Sequence, residues 1–366
     1  MNRIVKQSTQ WKEMQKRRDQ KSFRRKYRSK EKKRLARKAL QGINETVQKE
    51  INNRKKLELN FVDYKWITAP VDFSLINNPE ETLIFISEID EYYKKRKKVF
   101  INLSKVKTIG HGAIVVLLAK MVQFKSNNIK FNGNFPKDES IQQILKESGF
   151  FKNLFKEFEI QDSYDLSSAN NSIYTHAQKN VNPELSDEII RNASKLIWGS
   201  ERRCLGLQRV FLELMQNTNN HATIGKSGEK HWWASVNYKK EENKVCFSFI
   251  DFGVGIFESL SNKKSDSKFY GVIDKVKNLF SKSDNAELLK LLLNGEIHQT
   301  ATGKYYRGKG LPGVFEANVK NNISNLIIIS NDAYANPAID FYKLLNKNLS
   351  GVFIYWELNE QNKNLK

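Results

Sequence analysis

The sequence predicts an α/β (α+β) protein in which two α/β units follow a basic helical N-terminal arm. Three observations carry this reading. Positive charge is concentrated at the start: residues 1–56 hold 21 Lys or Arg against 5 Asp or Glu, leaving 41 against 35 for the rest of a chain with net charge +22. From Lys65 onward, short apolar runs alternate with helical stretches, the pattern of a small α/β unit. Beyond Pro183, two helical stretches precede a pair of strands joined by a polar turn, and further helix and strand patterns follow. The expected division is an arm at 1–60, a first α/β unit at 61–151, a connector at 152–182, a second unit at 183–358 and a tail at 359–366.

At 366 residues the chain exceeds one ordinary domain. The longest apolar run, 113–119, is shorter than a membrane span and fits a buried helix. The basic N-terminus leads into no apolar segment, so neither a signal peptide nor a membrane anchor is expected. Cys204 and Cys246 lie in apolar contexts without metal-ligand spacing. Buried, reduced thiols in a cytoplasmic protein are the simplest expectation.

In the arm, Lys16-Arg17-Arg18, Lys21, Arg24-Arg25-Lys26, Arg28, Lys30, Lys32-Lys33-Arg34 and Arg37-Lys38 are interrupted by no Pro, and the only Gly is Gly42. Good helix formers predict one long helix, although like charges repel along it. Such density suits phosphate neutralisation, so nucleic acid is an expected partner of residues 1–56, bound without sequence preference. Trp11, Phe23 and Tyr27 would stack on bases or anchor the arm to the body. A solvated tail and a basic oligomerisation helix are the competing readings.

In the first unit, Pro79-Glu80-Glu81 starts a helix that runs to about Lys95. A buried strand follows at 99–103, a second helix at 110–124, a second strand at 129–132 and a third helix at 138–147. The segment Ile101-Asn-Leu-Ser-Lys-Val106-Lys-Thr-Ile109-Gly110-His111-Gly112-Ala resembles the core of a STAS domain, the anti-sigma-factor-antagonist fold. In that family the turn carries a Ser that receives phosphate from a partner kinase. Here the turn reads Gly110-His111-Gly112-Ala113, without the acceptor hydroxyl, and His111 reads as a capping or packing residue. The resemblance implies a protein partner for this unit.

Residues 152–182 are polar, with one strand expected around Ile173-Tyr174, and His176 has no acidic partner beside it. Pro183, suited to a first helical turn, opens a helix through Trp198. The next helix begins near Cys204. Leu207, Val210, Phe211, Leu214 and Met215 form its apolar face, and Glu213 and Asn217 stand one turn apart on another. A carboxylate and an amide so placed can orient a water and ligate a hard cation such as Mg²⁺. Glu and Asn at this spacing are also common on solvated surfaces.

Strands at 231–238 and 245–250 flank a polar turn, and the second runs directly into Asp251-Phe252-Gly253-Val254-Gly255-Ile256. Small residues at a strand end let a ligand approach the backbone, and an Asp there can accept a hydrogen bond from an exocyclic amine. Downstream, Arg307-Gly308-Lys309-Gly310-Leu311-Pro312-Gly313 precedes a helical stretch. Glycines before a helix N-terminus expose amides toward an anion, with Lys309 or Lys304 adding charge.

The succession Glu213-x-x-x-Asn217, Asp251-x-Gly253-x-Gly255 and Gly308-x-Gly310-Leu311 resembles the N, G1 and G2 boxes of the GHKL (Bergerat-fold) ATPases, the group of gyrase, MutL and histidine kinases. The resemblance implies an α/β sandwich over 183–358 with ATP and Mg²⁺ as cofactors. It implies that Asn217 holds Mg²⁺, that Asp251 reads the adenine amine, and that Gly253 and Gly255 admit base and sugar. Gly308, Gly310 and Leu311 would border the phosphates on a mobile lid, and Glu213 would polarise the attacking water. Val352 stands where the family has a Thr, with Ser330 a candidate partial substitute. The intervening segment includes a helical stretch at 285–294 and a Lys-rich stretch at 261–268.

The expected function is thus an ATP-binding protein, a slow Mg²⁺-dependent ATPase that acts as a nucleotide-gated switch on a protein or nucleic-acid partner, with no membrane and with a homodimer as the expected assembly. Two alternatives stand: a protein serine/threonine kinase of the anti-sigma type, and a non-catalytic scaffold whose arm binds nucleic acid.

Overall fold

Helix α1 (Thr9–Ala39) is the main element of the first of two units into which the chain divides, residues 1–64. The second unit comprises residues 65–366. The computed structural model describes residues 9–39, 61–148, 172–177, 183–221, 232–257, 284–296 and 310–363. Uninterrupted helix formers sustain α1. Its described side chains, from Met14 to Glu31, are exposed or partly exposed around the whole helix.

The second unit begins with a three-stranded parallel sheet of β1 (Lys65–Thr68), β3 (Val99–Asn102) and β5 (Phe131–Gly133), in the order β1-β3-β5. A short parallel pair, β2 (Asp72–Phe73) and β4 (Thr108–Ile109), sits beside it. Helix α2 (Pro79–Lys94) starts on Pro79, whose fixed φ and missing N–H suit a first turn, with Glu80 and Glu81 favoured at the positive end of the helix dipole. Helix α4 (Glu139–Glu147) is capped by Asp138, which accepts from the Ser140 amide. Between them, α3 (His111–Ser126) buries residues on all its sides, including the run from Gly112 to Met121. A helix apolar all round belongs inside a protein.

The position of α3 explains this. One side meets the parallel sheet, and the other meets a second, antiparallel sheet of β6 (Ser172–Ala177), β7 (Trp232–Lys239), β8 (Lys244–Asp251), β9 (Ser324–Asn336) and β10 (Phe341–Leu358), in the order β6-β7-β8-β10-β9. Alternate residues divide between its faces. Trp233, Ile250, Ile329 and Phe353 join the core of α2 and α3. Trp232, Phe249, Ile328 and Trp356 join a second core with α5 (Pro183–Trp198), α6 (Leu205–His221), α7 (Asn285–Leu293) and α8 (Gly310–Val319). A sheet covered on both faces needs apolar residues at successive positions, which is why 245–250 reads as a run rather than an alternation. In the second core Trp356 stacks on Phe247 with ring centroids 5.3 Å apart, and Phe211 of α6 meets Trp356 edge-on at 5.1 Å.

Gly112 shows how closely α3 approaches this sheet: a Cβ there would lie 2.5 Å from Cε2 of Phe353. Burial pushes the neighbouring His111 imidazole down to about 4, with Lys239 adding to the effect, so it is neutral at pH 7 and acts in packing. Two elements extend beyond the expected strands. The β9–β10 hairpin continues into residues 331–349, where polar and apolar residues do not alternate regularly and register shifts interrupt the pairing. In the stretch expected as a connector, β6 pairs with β7 at the edge of the sheet.

Candidate functional site

Asp251 ends β8, where the chain leaves the sheet, opposite Trp232 of β7 and Val352 of β10. Its Oδ1 accepts from the Gly253 amide at 3.1 Å, and its carboxyl also accepts from the Val352 amide. Burial pushes the carboxyl up to about 6 against the opposing effect of these two amides. It is therefore ionised at pH 7 and accepts hydrogen bonds from any donor brought to it. Gly351 permits this arrangement: its φ is +119°, and a Cβ there would overlap the Asp251 carbonyl oxygen. The Val352 contribution is its backbone amide, which any residue but proline at that position could supply.

The loop after Asp251 is fastened to β9. Ser330 is fully buried, accepts from the Ile256 amide at 2.9 Å and donates to the Gly351 carbonyl at 3.2 Å. Its hydroxyl thus holds two backbone segments together. Asn331 donates to the Val254 carbonyl at 3.0 Å and accepts from the Phe257 amide at 3.4 Å. Gly255, at φ +84°, leaves room for this amide side chain, which a Cβ would strike. Asn331, at φ +51°, was missed by the sequence reading; an Asn inside an apolar strand run, tolerant of the left-handed region, was the available signal.

A second missed contributor comes from the first half of the unit. Lys120, in the middle of α3, is only 4% exposed. Its Nζ is 2.5 Å from Asp90 of α2 and lies 5.0 Å from the ring centroid of Phe252, the residue between Asp251 and Gly253. A buried lysine is retained at a desolvation cost, and this one spans from an acid in one layer to the loop of the other.

Glu213 lies partly buried on α6, with Oε1 3.8 Å from Nε of Arg209 one turn earlier. Asn217 follows on the same helix; its side chain lies outside the described residues. Helix α8 packs along α6 in the opposite direction, with Gly206 against Asn322 and Gly313 against Arg209. Arg209, which Gly313 approaches, is the residue paired with Glu213. Leu311 also packs on the second core, which holds Leu214 and Met215 of α6 together with Phe257 from the end of the Asp251 loop. The second core thus receives neighbours of Glu213 and Gly255 together with Leu311, whereas Ile250 and Phe252, on either side of Asp251, pack on the first core. Lys304, Gly308, Lys309 and the Lys-rich stretch at 261–268 lie outside the described residues.

The two thiols are structural. Cys204 and Cys246 are free and buried, and burial pushes Cys204 up to about 11 and raises Cys246. Among the described residues, no cluster of three or more His, Cys, Asp or Glu is placed to hold a metal, and no helix is long and apolar enough to cross a membrane. Compared with models of known protein families and with curated proteins, the chain matches none.

Proposed function

We propose that residues 183–358 form a Bergerat-type site for Mg²⁺-ATP that hydrolyses it slowly, and that residues 61–151, a STAS-like unit, are the part of this cytoplasmic protein whose contacts the nucleotide controls. The observation that carries the reading is the Asp251 carboxyl. An ionised acid held at a strand end by two amides, with its ordinary range raised by burial, is costly for folding and useful for recognising a donor. The exocyclic amine of adenine is such a donor. Gly255 and Gly351 allow the close approach of the Asn331 amide and of the Asp251 carbonyl, which fixes the loop that presents this carboxyl.

The rest of the constellation fits the remainder of the nucleotide. In the first turn of α8 the Gly310 and Leu311 amides have no partner within the helix, an arrangement suited to phosphate, while Pro312 supplies none. Asn217 is the residue that would ligate Mg²⁺, which neutralises phosphate charge when bound. Glu213, oriented by Arg209, is the general base that takes a proton from the attacking water. Gating follows from the layered packing. Phe252 touches Lys120, and Lys120 pairs with Asp90, so ordering of the loop by a ligand changes what α3 and α2 pack against.

Isothermal titration with ATP and Mg²⁺ tests the reading, using the full chain and Asp251→Ala. Binding by the wild type and its loss in the variant support it. A wild type that takes up no nucleotide overturns it. A radiolabel assay run alongside separates hydrolysis, which releases free phosphate, from kinase activity, which labels protein.

A further inference from the structure

We propose that α1 is a nucleic-acid-binding element that docks on the phosphate backbone of a duplex without reading its sequence. The inference is independent of the nucleotide site, since α1 belongs to the unit at residues 1–64. The helix has 31 residues and so spans about 46 Å. Along it stand 15 Lys or Arg against 3 Asp or Glu. Basic residues occupy every side: Lys16, Arg17 and Arg18 point in three directions, and Arg24, Arg25 and Lys26 repeat the set two turns later, all exposed.

This distribution selects among the possible partners. A second copy of the helix would need an apolar seam recurring every three or four residues. Met14, Phe23 and Tyr27, the large apolar residues among the described side chains, are spaced too irregularly to make one. Lying on a lipid surface requires one continuous apolar face, and there is none along these side chains. Neutralisation by a dense polyanion suits this surface. A duplex presents one negative charge per roughly 1.7 Å of its axis, and guanidinium groups match phosphate geometry. Seven of the basic residues are arginines. Phe23, 61% exposed and stacked with Tyr27 at 6.5 Å, offers a ring surface among them.

The test is fluorescence anisotropy of the full chain with a labelled random-sequence duplex of about 30 base pairs, long enough to span the helix. Some six phosphate contacts give a log–log salt slope of about −5, an affinity loss of about 10³-fold between 50 and 200 mM salt. Arg24→Glu/Arg25→Glu/Lys26→Glu is expected to weaken binding more than ~10-fold and flatten the slope by about two to three. The charge-conserving set Arg24→Lys/Arg25→Lys/Lys26→Arg is expected to retain it. DNA and RNA duplexes of unrelated sequence should bind alike. The proposal is overturned by a slope shallower than about −2, or by an acidic triple variant that binds like the wild type. It is also overturned if poly-glutamate or phosphatidylserine vesicles of equal charge displace the duplex as well as unlabelled duplex does.

Discussion

Replacing Asp251 by Asn separates what this residue does for folding from what it does for a ligand. In the folded protein its carboxyl titrates at about 6, against an ordinary value of 3.8. A group with a raised folded pKa contributes stability that is fully present below about pH 4 and is lost as pH rises through about 6. The shift of some two units corresponds to about 3 kcal/mol, so at pH 7.5 the ionised carboxylate is a net liability of that order. Asn keeps an oxygen for the Gly253 and Val352 amides and carries no charge to desolvate. After allowing for the weaker acceptor, Asp251→Asn should be more stable than wild type by ~1–2 kcal/mol at pH 7.5, roughly 2–3 °C in melting temperature. The gain should vanish at pH 4, where the wild-type carboxyl is protonated. Thermal unfolding from pH 4 to pH 8, paired with titration of ATP, reads both sides. ATP affinity should fall by about 10- to 100-fold through loss of a charged acceptor. A variant less stable at pH 7.5, or a gain independent of pH, would refute the assignment of the carboxylate as an acid kept at a cost for binding.

Three further outcomes follow from the same geometry. Glu213→Gln should keep ATP affinity within a few-fold while phosphate release falls by about 10²–10⁴; a variant that hydrolyses normally would remove Glu213 from the chemistry. The pair Lys120→Met with Asp90→Leu removes both buried charges together, so melting temperature should hold or rise. ATP affinity should nonetheless drop about 3- to 10-fold as Phe252 loses its cation, and unchanged affinity would mean that α3 has no hold on the loop. Gly112→Ala forces a methyl against the Phe353 ring and should cost ~1–3 kcal/mol, visible as a lower melting temperature; an unchanged melting temperature would show that the helix approaches the sheet less closely.

Local chemistry made much of this architecture legible. Pro79 and Asp138 mark helix starts that the structure places at Pro79 and Glu139, and the helix expected from Pro183 to Trp198 has those bounds. The strand ending in Asp251 and its glycines was equally readable, because apolar runs and small residues carry their signal in sequence. The sequence reading missed contacts between distant segments. Gly112 reads as a turn residue until Phe353 is seen against it, and Lys120 reads as one charge in an apolar helix until Asp90 and Phe252 close around it. The outer hairpin was hidden for a different reason. Between Asn331 and Leu349 its apolar residues divide between buried ones, such as Ala333, Tyr334 and Leu345, and exposed ones, such as Phe341 and Leu344, so no regular inside–outside alternation marks the strands. Asn331 belongs to the same group: its role comes from reaching across to Val254 and Phe257.

The central claim is that Asp251 recognises an exocyclic amine, and base selectivity measures this without any mutation. Purine riboside triphosphate differs from ATP only in lacking that amine, so it brings no exocyclic donor to the carboxylate. Titration of the wild-type chain with each nucleotide and Mg²⁺ at pH 7.5 should show ATP bound about 10- to 150-fold more tightly, the value of one hydrogen bond to a charged group. Equal affinity for the two would contradict the assignment.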